Sequence, residues 1–292
     1  MIRKLDLDAF KSRVRAGVEE ALARHFARHA DTEVRRVAQY AVIGGGHRWR
    51  AMAAIAAGAV FRDDAWDATM PCACSAELVH AASLVLDDLP SMDDAALRRG
   101  RPCAHLVFPR WAVDMAPVYL VNLGYEIALQ NPLMSPELRV RVALEGGAAA
   151  MDMFRGQEID LTRAVDGIDL PGLLECYRLK TGAPCAYGAK SGALACGAGD
   201  EDAQALYECG GEFGVAYQIL DDVADVTERA DGVGKNAGMD AGRITAVDLL
   251  GVEGATARAR EIEESAIARL ARFGAPARLL RSLIRHATSV AP

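Results

Sequence analysis

Apolar residues recur with helical spacing along most of the chain. Phe10, Val14, Val18, Leu22 and Phe26 fall every four residues, which places them on one face of a helix. Similar spacing returns over residues 32–40, 74–89, 136–160 and 202–227. Residues 51–59 are rich in alanine, the best intrinsic helix former. Nowhere is an alternating run bounded by an Asn-Gly or Asp-Gly hairpin signal, so strands are not predicted. The interval from Pro184 to Pro276 holds no proline and leaves room for long helices. Breaks are expected at residues 44–46, 89–90, 100–102, 131–132, 167, 197–199 and 230–242. No linker, composition shift or internal repeat divides the chain. The pattern predicts an all-α fold in one domain over residues 1–292.

Composition changes this picture in three ways. A length of 292 residues would by itself suggest two domains, at about 150 residues each. With 33 basic and 40 acidic residues the net charge is −7, which argues against a general nucleic-acid binder but not against anions held by local clusters. The chain is 51% hydrophobic and only 6% aromatic. Its apolar runs look shorter than the ~18 residues of a membrane span, so no span is expected. The surplus is assigned to a large core or to the lining of an apolar cavity. The seven scattered cysteines read as buried small hydrophobes in a reducing compartment. The charged N-terminus lacks the apolar stretch of a secretory signal, so a cytoplasmic location is expected.

Two acidic clusters stand out. Asp87, Asp88, Asp93 and Asp94 lie within eight residues at the end of an apolar helical run. Carboxylates at that position repel one another and oppose the negative end of the helix dipole. Asp87 and Asp93 are about 240° apart on a regular helix, but Pro90 disfavours helical geometry at Leu89, so the chain can bend Asp93 back towards Asp87. In the second cluster Asp221 and Asp225 are i,i+4 partners, with Asp222 beside them and Gln218 one turn earlier. Such sets of oxygen ligands suit Mg²⁺, which keeps part of its water and bridges substrate phosphates. Basic groups occur at His47-Arg48-Trp49-Arg50 after a triple glycine, at Arg98-Arg99-Gly100-Arg101, at Lys180-Thr181-Gly182 and at Gly234-Lys235. Glycine-freed backbone beside Arg and Lys is what diphosphate recognition needs. None of them forms a Walker loop.

Together these strings resemble the trans-isoprenyl diphosphate synthases of the short-chain polyprenyl synthetase family. The first motif reads DDLPSMDDAALRRGRP from Asp87, the second YQILDDVAD from Tyr217, with KTG between them. The resemblance runs from about Val34 to Leu250. It implies a single bundle of long, mostly antiparallel helices around a deep central cavity, and a homodimer. It implies that Asp87, Asp88, Asp93 and Asp221 bind magnesium, about three ions with substrate, and that Asp222 and Asp225 help through water. Arg98, Lys180, Gln218 and Lys235 would hold an allylic diphosphate (dimethylallyl, geranyl or farnesyl). His47, Arg50, His80 and Arg99 would hold isopentenyl diphosphate, and Thr181 would steady the allylic cation. Ala82 and Ser83, just before the first motif, would set product length. A small residue at 82 leaves the tunnel open and points to a C20 product, geranylgeranyl diphosphate, rather than farnesyl diphosphate.

The chain departs from that family at several points. His47 stands where a lysine is usual, and Ala51 where a proline is. A bound diphosphate should raise the imidazole pKa. The loop after Lys235 is short and lacks the usual second lysine, for which Arg243 is the candidate replacement. Phe108-Pro109-Arg110 and Val121-Asn122 replace family strings, so the helix there is expected to start late or to be remodelled. Two other functions fit less of the sequence. One is a relative that cyclises its allylic substrate or uses another acceptor. The other is a non-catalytic subunit, which would be expected to have lost an aspartate motif.

Overall fold

The computed structural model describes residues 2–230 and 243–289. α1 (Leu7–Phe26) starts where the Asp6 carboxylate accepts Ala9 N–H, and it buries all five residues of the four-residue stripe. α2 (Glu33–Val42) is capped by Thr32. α3 (Trp49–Phe61) is the alanine-rich segment, and α4 (Trp66–Asp87) leads to the first aspartate cluster. A short hairpin, α5 (Ala104–Val107) and α6 (Arg110–Leu129) follow. α7 (Pro136–Asp166) is capped by Ser135, with proline in its first turn, where no N–H is missed. α8 (Leu170–Tyr177) passes through a π-helical turn, Arg178–Gly182, into α9 (Ala183–Ala195). α10 (Asp200–Ala230) carries the second cluster. α11 (Ala246–Arg269) bends at Gly251, and α12 (Arg278–Ser289) closes the chain.

α9 is central. All thirteen of its residues are buried, and it packs on α3, α4, α7 and α10. A Cβ at Gly192 would stand 1.9 Å from the Ala54 carbonyl oxygen, and one at Gly188 would stand 2.8 Å from that of Arg50. The α3–α9 contact is therefore backbone against backbone. It explains why alanine, rather than aromatic rings, accounts for much of the apolar surplus. The seven cysteines are free and buried, as expected, and burial pushes the Cys72 thiol up to about 12.

Three expectations need correction. α4 is long and apolar enough, by length and composition, to cross a membrane, although 67% of its apolar window is buried inside the protein. Its polar interruptions hid that run in the sequence. A strand pair does exist: β1 (Leu97–Arg98) and β2 (Arg101–Pro102) are joined by Arg99 and Gly100, both at positive φ. That is a two-residue hairpin turn made by Arg-Gly rather than Asn-Gly. α6 begins just after Pro109, its N-cap, and runs unbroken through Val121 and Asn122, so those strings do not interrupt it.

Candidate active site

The first cluster forms as the chain leaves α4. Asp88 caps the helix, and beyond Pro90 the chain turns back so that Asp93 N–H donates to the Asp87 carbonyl at 2.9 Å. The bend anticipated at Leu89-Pro90 brings the backbones of the two aspartates together. Asp88 is buried and receives Arg98 at 2.5 Å and 3.0 Å, a charge-assisted pair formed across the hairpin. The Asp87 carboxyl is pushed up to about 6 by burial, with Asp93 and Asp160 adding to the shift and Lys180 and Arg98 only partly offsetting it.

Lys180 and Thr181 lie in the π turn, a wide turn common at functional positions. Lys180 donates to Asp160 at 2.6 Å. Thr181 donates its hydroxyl to the Gln218 side-chain oxygen at 2.9 Å, which ties the turn to α10. Asp222 is buried: its Oδ2 accepts the Tyr177 hydroxyl and the Ala246 N–H, and Gln218 reaches its Oδ1 at 3.4 Å. It thereby fixes the point where the chain re-enters as α11. Asp221 is half-buried and Asp225 exposed on the same helix. Arg243 joins Asp93 of the first cluster to Asp160 of α7, at 2.6 Å and 3.4 Å. Lys235 lies outside the described residues.

Asp160 escaped the sequence reading as a site residue. It is buried on α7 between Lys180, Arg243 and Arg163, the last at 2.7 Å. Burial opposes its ionisation, but Lys180, Arg163 and Arg243 outweigh burial and hold the carboxyl below its usual range. The available signal was its spacing: Met153, Gly156, Asp160 and Arg163 fall on one helix face, and all four are buried. Two charges on the buried face of a helix ask for partners.

Among the described residues no three His, Cys, Asp or Glu side chains converge as a ready metal cage. Arg98, Arg243 and Lys180 supply counter-charge instead. The donor chemistry still fits Mg²⁺, which takes one or two carboxylates together with substrate phosphates rather than an all-protein cage. The raised Asp87 reflects first its burial and then the nearby Asp93 and Asp160 carboxylates.

The basic side is built on the triple glycine. Gly44 and Gly46 adopt positive φ, and Arg99 lies on the loop, donating to the Gly45 carbonyl at 3.1 Å. A Cβ at Gly46 would come within 2.7 Å of the Arg99 guanidinium carbon. Arg48 takes a structural role: it is buried and held by Glu19, by Glu77 at 3.3 Å and by the Val42 carbonyl. Arg50 keeps a buried Nε with no hydrogen-bond partner among the described residues. The His80 imidazole is held well below its usual pKa by burial and by Arg50, Arg99, Arg98 and Arg48. His47 is also lowered, by burial and then by Arg15, Arg99, Lys11 and His286. In the free protein, then, both rings favour the neutral form.

Ala82 is buried in α4, and Ser83 donates back to the His80 carbonyl at 2.9 Å. A cavity of about 40 Å³ is lined by Asp88, Arg98, Arg99, Gly44 and Gly45. A much larger one, about 620 Å³, lies among α8, α9, α10 and α11 and includes none of the expected site residues. Chemistry, not volume, identifies the site: the smaller space joins Asp88 to Arg98, Arg99 and the glycine turn, while the larger one holds none of these groups.

Residues 31–274 match the family model described as polyprenyl synthetase. The chain is 31% identical to a geranylgeranyl diphosphate synthase of Cereibacter sphaeroides over 290 residues, covering 97% of each. It is 33% identical to a probable farnesyl diphosphate synthase of Bradyrhizobium diazoefficiens, covering 93% of this chain and 84% of that one. A crystal structure of an FPP/GFPP synthase from Zymomonas mobilis superposes with a TM-score of 0.86 at 29% identity, covering 97% of this chain and 98% of that one.

Proposed function

Because the chain belongs to the polyprenyl synthetase family, we propose that it is a prenyltransferase joining isopentenyl diphosphate head-to-tail to an allylic diphosphate (dimethylallyl, geranyl or farnesyl). The observation that carries this reading is the charge arrangement: Arg98 pairs with Asp88 of the first aspartate motif, Arg243 and Asp160 tie Asp93 to Lys180, and Thr181 beside Lys180 bonds Gln218 of the second.

Arg98 and Lys180 stand where they can take charge from a departing pyrophosphate, the main electrostatic task of such a reaction. The Thr181 hydroxyl proton is engaged by Gln218, which leaves oxygen lone pairs available to an allylic cation. Arg50, Arg99, His80 and His47 would hold the second diphosphate. The allylic C–O bond breaks, the double bond of isopentenyl diphosphate forms the new C–C bond, and a proton leaves to the released pyrophosphate. Apolar walls must keep water from the cation. Magnesium, held by Asp87, Asp88, Asp93 and Asp221 with Asp222 and Asp225 assisting through water, would supply Lewis-acid charge to the diphosphate, three ions in the full complex. The small Ala82 favours a C20 product. The enzyme acts in the cytoplasm as a homodimer; an apolar stripe on α6 and α7 supports the dimer.

The test is incubation with Mg²⁺, an allylic diphosphate and labelled isopentenyl diphosphate, followed by product identification. Prenyl diphosphates ending at C20 are expected, and Ala82→Tyr should shorten them. Hydrocarbons without isopentenyl incorporation, or no turnover, would refute the activity, and an unchanged length in the variant would refute the role of Ala82.

A further inference from the structure

His47 is the weak member of the basic pocket, since an imidazole replaces an ammonium at the glycine turn. The structure surrounds it with cations from elements outside both motifs. Its ring stacks on Trp49, with centroids 5.5 Å apart and planes within 10°. His286 of α12 meets the same indole at 6.2 Å. Lys11 of α1 lies 2.6 Å from His286, Nζ to Nε2. Arg15, one turn further along α1, belongs to the same group: Arg15, Arg99, Lys11 and His286 are the charged or titratable groups that act most on His47. Lys11 also pairs with Asp8 at 3.2 Å, but that carboxylate is 89% exposed and its attraction is screened by water. Two cations and two imidazoles thus gather near one buried indole beside the glycine turn. Lys11 and Arg15 are like charges one turn apart on α1, a pairing that an anion beside them would relieve.

We infer that Lys11 and Arg15 of α1, with His286 of α12, form a further binding wall for the diphosphate of isopentenyl diphosphate. This wall supplies from other helices the charge that His47 lacks. The inference rests on the proposed function, since it names residues of that same substrate site. The wall contributes to binding and orientation, and bond making is left to the groups around Thr181.

The test is calorimetric titration of the full chain with isopentenyl diphosphate, without metal or allylic partner. Lys11→Met with Arg15→Met should weaken binding about tenfold or more, and Arg15→Met alone, an exposed change, about threefold. Adding His47→Lys to the double variant should recover the affinity to within about threefold, which a merely structural defect would not permit. Affinity unchanged in the double variant, or a loss that His47→Lys does not recover, overturns the inference. Elongation is measured separately. A wild-type protein that binds isopentenyl diphosphate through Lys11 and Arg15 but makes no longer product would refute the proposed function and leave the wall standing.

Discussion

Asp160 shows what one buried charge can organise. Its carboxylate joins Lys180 of the π turn, Arg163 of its own helix and Arg243 beyond the second motif. Asp160→Asn keeps the shape and removes the charge, leaving Arg163 buried without its counter-ion, so a loss of about 3–5 kcal/mol is expected at pH 7. The carboxyl pKa is depressed in the fold. Its contribution is therefore present above the unfolded pKa of about 3.9 and is lost as pH falls through the folded value. Urea melts of the two proteins should differ most near neutrality and converge only as the pH falls below the usual carboxylate range; equal stability at pH 7 would refute this. Most of the site was legible, because Asp87, Asp93, Arg98, Lys180 and Gln218 sit in dense polar strings that packing alone does not explain. Asp160 was not, because a lone aspartate in an amphipathic helix looks like its solvated face. Nor did the string around Arg48 separate a buried structural arginine from its neighbour Arg50.

At the scale of elements, the helices followed from periodicity, since the stripe from Phe10 to Phe26 became the buried face of α1. Close approach was not visible, because spacing tells which face is buried but not how near its partner lies. Gly192→Ala would drive a Cβ to 1.9 Å from a carbonyl oxygen of α3. A loss of about 1–3 kcal/mol or more is expected, since neither backbone has room to yield. Gly199→Ala is the control: nothing lies within 4 Å of its Cβ position, and a change within about 0.5 kcal/mol is expected. Thermal melts that fail to separate the two variants would contradict the tight α3–α9 contact. The Arg99-Gly100 hairpin was missed for a related reason: the arginine accepts positive φ where its guanidinium is held over the glycine loop.

For the whole molecule, exposed apolar side chains are concentrated on two helices. Trp111, Met115 and Val118 of α6, with Val140, Leu144 and Met151 of α7, are each more than half exposed. A patch of that kind marks an interface. If the proposed homodimer is joined through this face, Leu144→Glu with Met115→Lys should shift the sedimenting species from dimer to monomer at micromolar concentration; a wild-type monomer would refute the dimer, and a variant that stays dimeric would refute this face as its seam. The π turn has its own consequence at this scale. Each residue of a helix advances the side-chain direction by about 100°, so the wide turn at Arg178–Gly182 sets the phase of everything after it. Lys180 and Thr181 meet Asp160 and Gln218, while Gly188 and Gly192 meet α3, in one continuous path. Deleting one residue from that turn would satisfy the first set or the second, but not both. Natural variation here should therefore proceed by substitution and almost never by a one-residue insertion or deletion.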